Sequence, residues 1–183
     1  MGKKEEEIIK VTIGGLAGTG TSTCGKILSK ILGVEYGSGG DLFRQLAKEA
    51  GMSLADLEKL ARSNPQYDRR VDDATREYGE SPDRSFVFEG RLGFYFIPSS
   101  IKFFLKCAFD ERTKRVSRRD NISRRAAQTL TRERERLAEE RYMKSYGVDI
   151  NNEGHYDLVI DTTRILPEVV LDKMVKFLRL QDS

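Results

Sequence analysis

The chain has no tryptophan, one histidine and two cysteines among its 183 residues. Two distant cysteines, Cys24 and Cys107, make no metal-ligand pattern and no disulfide framework. Cys24 falls in the first predicted helix and Cys107 ends an apolar run, so both are expected as buried thiols. The lone histidine, His155, follows Gly154 in a predicted loop and is expected as a turn residue rather than a base. No apolar run is long enough to span a bilayer. The opening Lys3-Lys4-Glu5-Glu6-Glu7 is charged and lacks the apolar stretch of a secretory leader, so the cytoplasm is the expected location. Repeats and low-complexity linkers are absent. Net charge is small, +3, too little to demand nucleic acid as a partner. What remains is 38% hydrophobic and 33% charged residues, a heavily solvated globular composition. The length suits one α/β domain over 1–183 with one or two inserted segments.

Strand and helix signals alternate along the chain. Ile8 to Ile13 is a β-branched run, and Ser22 to Leu32 repeats apolar residues at helical spacing before Gly33. Val34 to Gly37 reads as a second strand and Asp41 to Glu49 as an amphipathic helix stopped by Gly51. Ser53 opens a helix with Leu54, Leu57 and Leu60 on one face, and Asn64-Pro65 starts another that reaches about Tyr78. Ser85 to Phe88 and Ile101 to Ala108 are buried strands. A helical region covers Glu111 to Tyr146 with a break near Asn121 to Ser123. Tyr156 to Ile160 is the last strand, and Glu168 to Leu180 the closing helix after Pro167. Such alternation predicts a parallel sheet covered by helices on both faces, with ligands at the carboxyl ends of its strands.

After the first strand comes Gly15-Leu16-Ala17-Gly18-Thr19-Gly20-Thr21-Ser22-Thr23. Glycines let backbone N–H groups turn toward an anion, and the helix that follows adds its dipole. Gly15 and Gly20 have the spacing of the phosphate-binding P-loop, and Ser22 supplies the hydroxyl that would sit on Mg²⁺. The lysine position holds Thr21 instead. Either nucleotide binds weakly or cations elsewhere in the chain replace that charge. The other strand ends carry candidates too. Arg44 lies one turn into the second helix, and Arg91 directly follows a buried strand in Glu89-Gly90-Arg91. Arginine grips two phosphate oxygens at once, which lysine does not. Glu89 could hold Arg91, hold a Mg²⁺-bound water, or pair with another charge. From Arg112 to Lys144 there are twelve basic and five acidic residues. A lid is one reading, with Arg115, Arg118 and Arg119 closing over a nucleotide and Arg134 or Arg141 stabilising a transferring phosphoryl. A solvated helix face is another, and most of the twelve are expected to be solvated. A nucleic-acid surface is disfavoured by the scarcity of aromatics there. Phe94, Tyr95 and Phe96 read as core or pocket wall, and Asp68, Asp72 and Asp73 as a solvated face or acceptor contacts.

Four motifs in one order then carry a resemblance. The glycine loop ends in Gly-Thr-Ser-Thr; Tyr36-Gly37-Ser38-Gly39-Gly40-Asp41-Leu42-Phe43-Arg44 follows; next comes Phe88-Glu89-Gly90-Arg91-Leu92. Last come Arg134-Glu135 and Arg141-Tyr142-Met143-Lys144-Ser145-Tyr146-Gly147-Val148-Asp149-Ile150. Together they resemble a nucleoside monophosphate kinase, and within that class the short, archaeal-type cytidylate kinase. The resemblance implies a three-layer P-loop NTPase fold, a five-stranded parallel sheet flanked by helices. It implies an acceptor-binding helical insertion at about 38–80 and a lid with its following helix at about 110–146. ATP would be the donor, with Mg²⁺, and CMP or dCMP the acceptor. Gly15 to Thr23 and Arg115 would hold ATP; Ser38, Gly39, Asp41, Arg44 and Arg91 the acceptor; Arg119, Arg134 and Arg141 the transferring group. The protein is expected to act as a monomer. The rival expectations are a kinase for AMP or UMP, or a P-loop regulatory or assembly factor with little turnover.

Overall fold

The structure is a computed structural model, and it describes residues 8–53, 56, 57, 60, 61, 64 and 66–181. Five strands, β1 (Lys10–Gly15), β2 (Glu35–Ser38), β3 (Phe86–Glu89), β4 (Ile101–Lys106) and β5 (Leu158–Asp161), form one sheet in the order β2-β3-β1-β4-β5. Every pairing is parallel, with Thr12 opposite Phe88 on one side and Lys102 on the other. The helices with described bounds are α1 (Thr21–Leu32), α2 (Gly39–Glu49), α3 (Gln66–Glu80), the single turn α4 (Gly93–Phe96), α5 (Phe109–Asp120), α6 (Arg124–Tyr146) and α7 (Pro167–Gln181), and residues 56, 57, 60 and 61 between α2 and α3 are helical too. A 3₁₀ turn covers Glu153–His155. This is the α/β P-loop architecture the sequence predicts, a sheet flanked by helices on both faces.

Side-chain parity along β1 divides the layers. Val11 and Ile13 point to one face, where Leu28 of α1 and Val170, Leu171 and Met174 of α7 close a core with Phe103 and Leu105 of β4. Burying such apolar surface is the main favourable term in the fold. Thr12 points to the other face, and its hydroxyl hydrogen-bonds Ser100 at 2.8 Å. There Leu92, Phe94 and Phe96 pack with Val148 and Ile150, which follow α6. A central strand buried on both faces accounts for the unbroken apolar run Phe86-Val87-Phe88.

The helix ends obey local chemistry. α5 begins with Asp110 and Glu111 and finishes with Arg118 and Arg119, matching its dipole. Asn121, at φ 52°, breaks the chain between α5 and α6 where the sequence predicts it. The Ser123 hydroxyl then accepts from Ala126 N–H and caps α6.

Some expectations need correction. β4 ends at Lys106, and Ala108 N–H is drawn to Thr163 Oγ1 at 2.9 Å, so Cys107 sits past the strand and is half-buried, not enclosed. Nothing in the sequence marks α4, because four residues give no periodicity. Leu57 is fully buried and packs with Leu46 and Ala47 of α2, whereas Leu54, Pro65 and the Asp68 side chain lie outside the described residues. Asp72 is buried and accepts the Tyr146 hydroxyl, tying α3 to the end of α6. Among the described residues no helix is long and apolar enough to cross a membrane.

Candidate active site

The chain leaves β1 at the sheet's centre, where β3 departs on one side and β4 on the other. That is the switch point at which open α/β sheets bind ligands. The loop from Gly15 to Thr23 turns here into α1. Its conformation needs glycine: Gly18 lies at φ 85° and Gly20 at φ 102°. A Cβ on Gly18 would also stand 2.6 Å from the Arg112 backbone oxygen, so α5 packs directly against the loop. α1 starts at Gly20 with no capping side chain and no acidic residue in its first turn. Its N-terminal N–H groups and dipole are thus left for an anion.

The loop carbonyls from Leu16 to Gly20 are all engaged. Leu16 O accepts from Thr19 N–H at 3.2 Å and from the Thr19 hydroxyl at 2.8 Å. Ala17 O accepts from Arg112 Nη1 at 3.2 Å, and Gly18 O from Arg115 Nη1 at 3.3 Å. Thr19 O accepts from the Thr162 hydroxyl at 2.9 Å, and Gly20 O from Cys24 N–H at 2.9 Å. A planar trans peptide sets each C=O opposite the next N–H. The fixed carbonyls of Ala17 and Thr19 therefore turn the N–H groups of Gly18 and Gly20 the other way.

Two arginines of α5 stand against the loop and hold two of its carbonyls. Arg115 reaches Gly18 and also donates from Nη2 to Thr162 O at 2.8 Å, while Glu111 accepts from its Nε at 3.3 Å. Arg112 is 5% exposed. Its Nε donates to Cys107 O at 3.0 Å, and its two Nη atoms reach the Glu135 carboxylate, itself 13% exposed. The sequence points to Arg115 as a lid residue but leaves Arg112 among the solvated charges. In α5, where most residues are polar or charged, the buried stripe is Arg112, Thr113 and Val116, and charge density hides it.

Across the sheet, one oxygen of Glu89 at the end of β3 accepts from Ser22 Oγ at 3.0 Å and from Ser38 Oγ at 2.7 Å. Ser22 belongs to α1 and Ser38 to the end of β2, where its hydroxyl also accepts from Asp41 N–H and caps α2. Burial and the Glu89 carboxylate push the neighbouring Tyr36 phenol upward in pKa. Of the readings left open for Glu89, the structure pairs its carboxylate with these two hydroxyls rather than with Arg91. The oxygens of Ser22 and Glu89 suit Mg²⁺, a hard cation held by few protein ligands plus phosphates and waters. No group of three or more His, Cys, Asp or Glu able to hold a metal occurs among the described residues.

The remaining expected residues are distributed as follows. Gly39 begins α2 beside Gly90, its Cβ position 3.8 Å from Glu89 O. Arg44 folds back over Gly40 and pairs with Asp41, both more than half exposed. Gly90 N–H bonds Ile13 O at 3.1 Å, which sets Arg91 at the exit of β1. Arg91 is half-buried and has no hydrogen bond or ion pair among the described residues. Arg119 pairs with Asp120 on the surface. Its guanidinium holds that carboxyl below the usual carboxylate range, with a smaller contribution from Arg134. Arg134 lies on α6, next to Glu135, the partner of Arg112. Arg141 lies over the Tyr142 ring, 4.8 Å from guanidinium carbon to ring centre, and donates to its hydroxyl at 2.9 Å. His155 stacks on Phe94 with ring centres 4.9 Å apart. A cavity of about 480 Å³ lies at the opposite end of the sheet beside Lys10, Arg76 and Tyr95.

Comparisons with known proteins point one way. A family model described as the cytidylate kinase-like family matches residues 10–164. A cytidylate kinase of Methanothrix thermoacetophila is 42% identical over 154 residues, 84% of this chain and 88% of the relative. Another from Pyrococcus abyssi is 39% identical over 161 residues, covering 87% of this chain and 88% of that one. In structure, the chain is similar to a shikimate kinase from Acinetobacter baumannii, with a TM-score of 0.67 and 14% identity over 96% of both chains. That last likeness shows the shared fold alone.

The two thiols flank the loop and should behave differently. Cys24, 2% exposed in α1, has its pKa pushed by burial up to about 11, and Cys107 lines a cavity of about 190 Å³ beside the loop. The raised value means the fold favours the neutral thiol. That contribution to stability is full below the ordinary thiol range and is lost as pH rises toward about 11. At pH 8 a disulfide thiol reagent is expected to titrate Cys107 in the native protein and Cys24 only after denaturation. Two thiols reacting at one rate would contradict it.

Proposed function

The chain belongs to the cytidylate kinase-like family, and from that we propose that it phosphorylates CMP and dCMP with ATP and Mg²⁺. As a nucleoside monophosphate kinase it must bring two polyanions together and align them. The observation that carries the reading is the shared Glu89 oxygen, which accepts from Ser22 on the donor loop and from Ser38 at the acceptor helix. Both phosphate-binding helix starts are thereby held on one carboxylate.

In the proposed reaction Gly15 to Thr23 and Arg115 bind the triphosphate. Ser38, Gly39 and Arg44 bind the acceptor phosphate, with Asp41 holding Arg44 in place. Arg91, half-buried at the strand end, reaches between the two. An oxygen of the acceptor phosphate attacks the γ-phosphorus in line while the bond from that phosphorus to the β-bridging oxygen breaks. ATP leaves as ADP and CMP becomes CDP. The acceptor is already an anion, so no strong base is needed, in keeping with His155 stacked away on Phe94. Arg119, Arg134 and Arg141 neutralise the transition state as the lid closes. Mg²⁺, held by Ser22 with Glu89 behind it, would supply charge neutralisation on the donor phosphates. We place the enzyme in the cytoplasm as a monomer.

A coupled assay of ATP with CMP, dCMP, UMP, AMP and GMP tests the proposal. CMP and dCMP are expected to give the highest kcat/KM. Preference for AMP or UMP would move the assignment within the class, and turnover of none would favour a nucleotide-binding regulator. In the same assay Arg91→Ala is expected to lower kcat/KM at least about 100-fold, roughly 2.7 kcal/mol. An unchanged rate would return Arg91 to a structural role.

A further inference from the structure

We propose that Arg112 and Glu135 are a positioning pair for the donor site, one that sets the Ala17–Gly18 peptide and ties it to α6. The inference rests on the kinase reading above and adds to it a residue pair that touches neither substrate. Arg112 uses its guanidinium in three directions. Nε holds Cys107 O at the mouth of β4, Nη1 holds Ala17 O, and both Nη atoms meet Glu135 on α6. A lysine has one nitrogen on a flexible stem and cannot serve three sites around one plane.

Stability alone explains this arrangement poorly. Taking a guanidinium and a carboxylate out of water is costly, and apolar residues of similar volume often replace such a pair without loss. What the pair supplies is geometry. With Ala17 O fixed on Arg112, the next N–H, that of Gly18, is turned to the opposite side of the peptide plane. Only glycine fits at this close approach, since a Cβ on residue 18 would meet Arg112 O at 2.6 Å. Glu135 extends the link. It sits beside Arg134, a candidate for the transferring group, on the same helix. A shift of α6 therefore pulls on the Arg112 guanidinium and, through it, on one peptide of the donor loop. Ring contacts steady the link, with Arg112 and Arg132 both lying over Phe109, at 5.4 and 4.8 Å.

The test compares wild type, Arg112→Lys and Glu135→Gln by steady-state kinetics, by calorimetric titration with ATP alone and by thermal unfolding. Glu135→Gln keeps an acceptor and the shape while removing the charge, and stands in should Arg112→Lys fail to fold. The expected result is a rise of about tenfold in KM and Kd for ATP, with KM for CMP within about twofold of wild type. An unchanged ATP affinity in folded variants would overturn the proposal. So would KM values for both substrates rising together with a lowered Tm, the mark of a merely structural role. The titration needs no acceptor, so it decides Arg112 even if wild type phosphorylates no monophosphate, an outcome that would sink the kinase reading separately.

Discussion

The structure depends on how the carbonyls of one loop are held. From Leu16 to Gly20 each backbone oxygen already has a donor, and two of those donors are guanidinium groups from α5. A glycine-rich segment left to itself is conformationally loose and costly to order. Here its ordering is met in advance by Arg112, Arg115, Thr162 and the first turn of α1. Phosphate loops ordinarily carry a lysine, and here that position is Thr21. Two cations do lie near, on a neighbouring helix, where Arg112 and Arg115 hold the carbonyl side of the loop and shape its backbone.

The second constraint is the carboxylate of Glu89. It occupies the end of β3, between the strand that feeds the donor loop and the strand that feeds α2. Its register opposite Ile13 and Ser38 follows from parallel pairing alone. Sheet geometry thus delivers two serine hydroxyls to one oxygen with no dedicated scaffold. α3 is joined to α6 at a separate point, Tyr146 on Asp72. The glycine-rich loop thus contacts the start of α2 through Glu89 and α6 through Arg112 and Glu135, while α3 meets α6 through Asp72.

Much of this is legible in the sequence. Apolar runs mark β1, β3 and β4, since a strand covered on both faces needs mostly apolar residues. Gly33 and Gly147 mark the ends of α1 and α6 by their positive φ. The phosphate loop declares itself by spacing. Three features stay hidden for physical reasons. Arg112 and Glu135 read as solvated because burial of a charge depends on a partner 23 residues away. Glu89 can be placed at the binding edge from sequence, but its partners come from two other segments. Cys107 looks enclosed because its apolar run continues, whereas a hydrogen bond to Thr163 turns the backbone out of the sheet.

Substituting Thr21→Lys restores the usual phosphate-loop cation and measures whether it is needed. On the proposed reading arginines elsewhere in the chain carry that role, so kcat/KM for ATP should change by less than about threefold. A gain of about tenfold or more would mean that no arginine stands in for the lysine, and that the donor loop lacks a charge it could use.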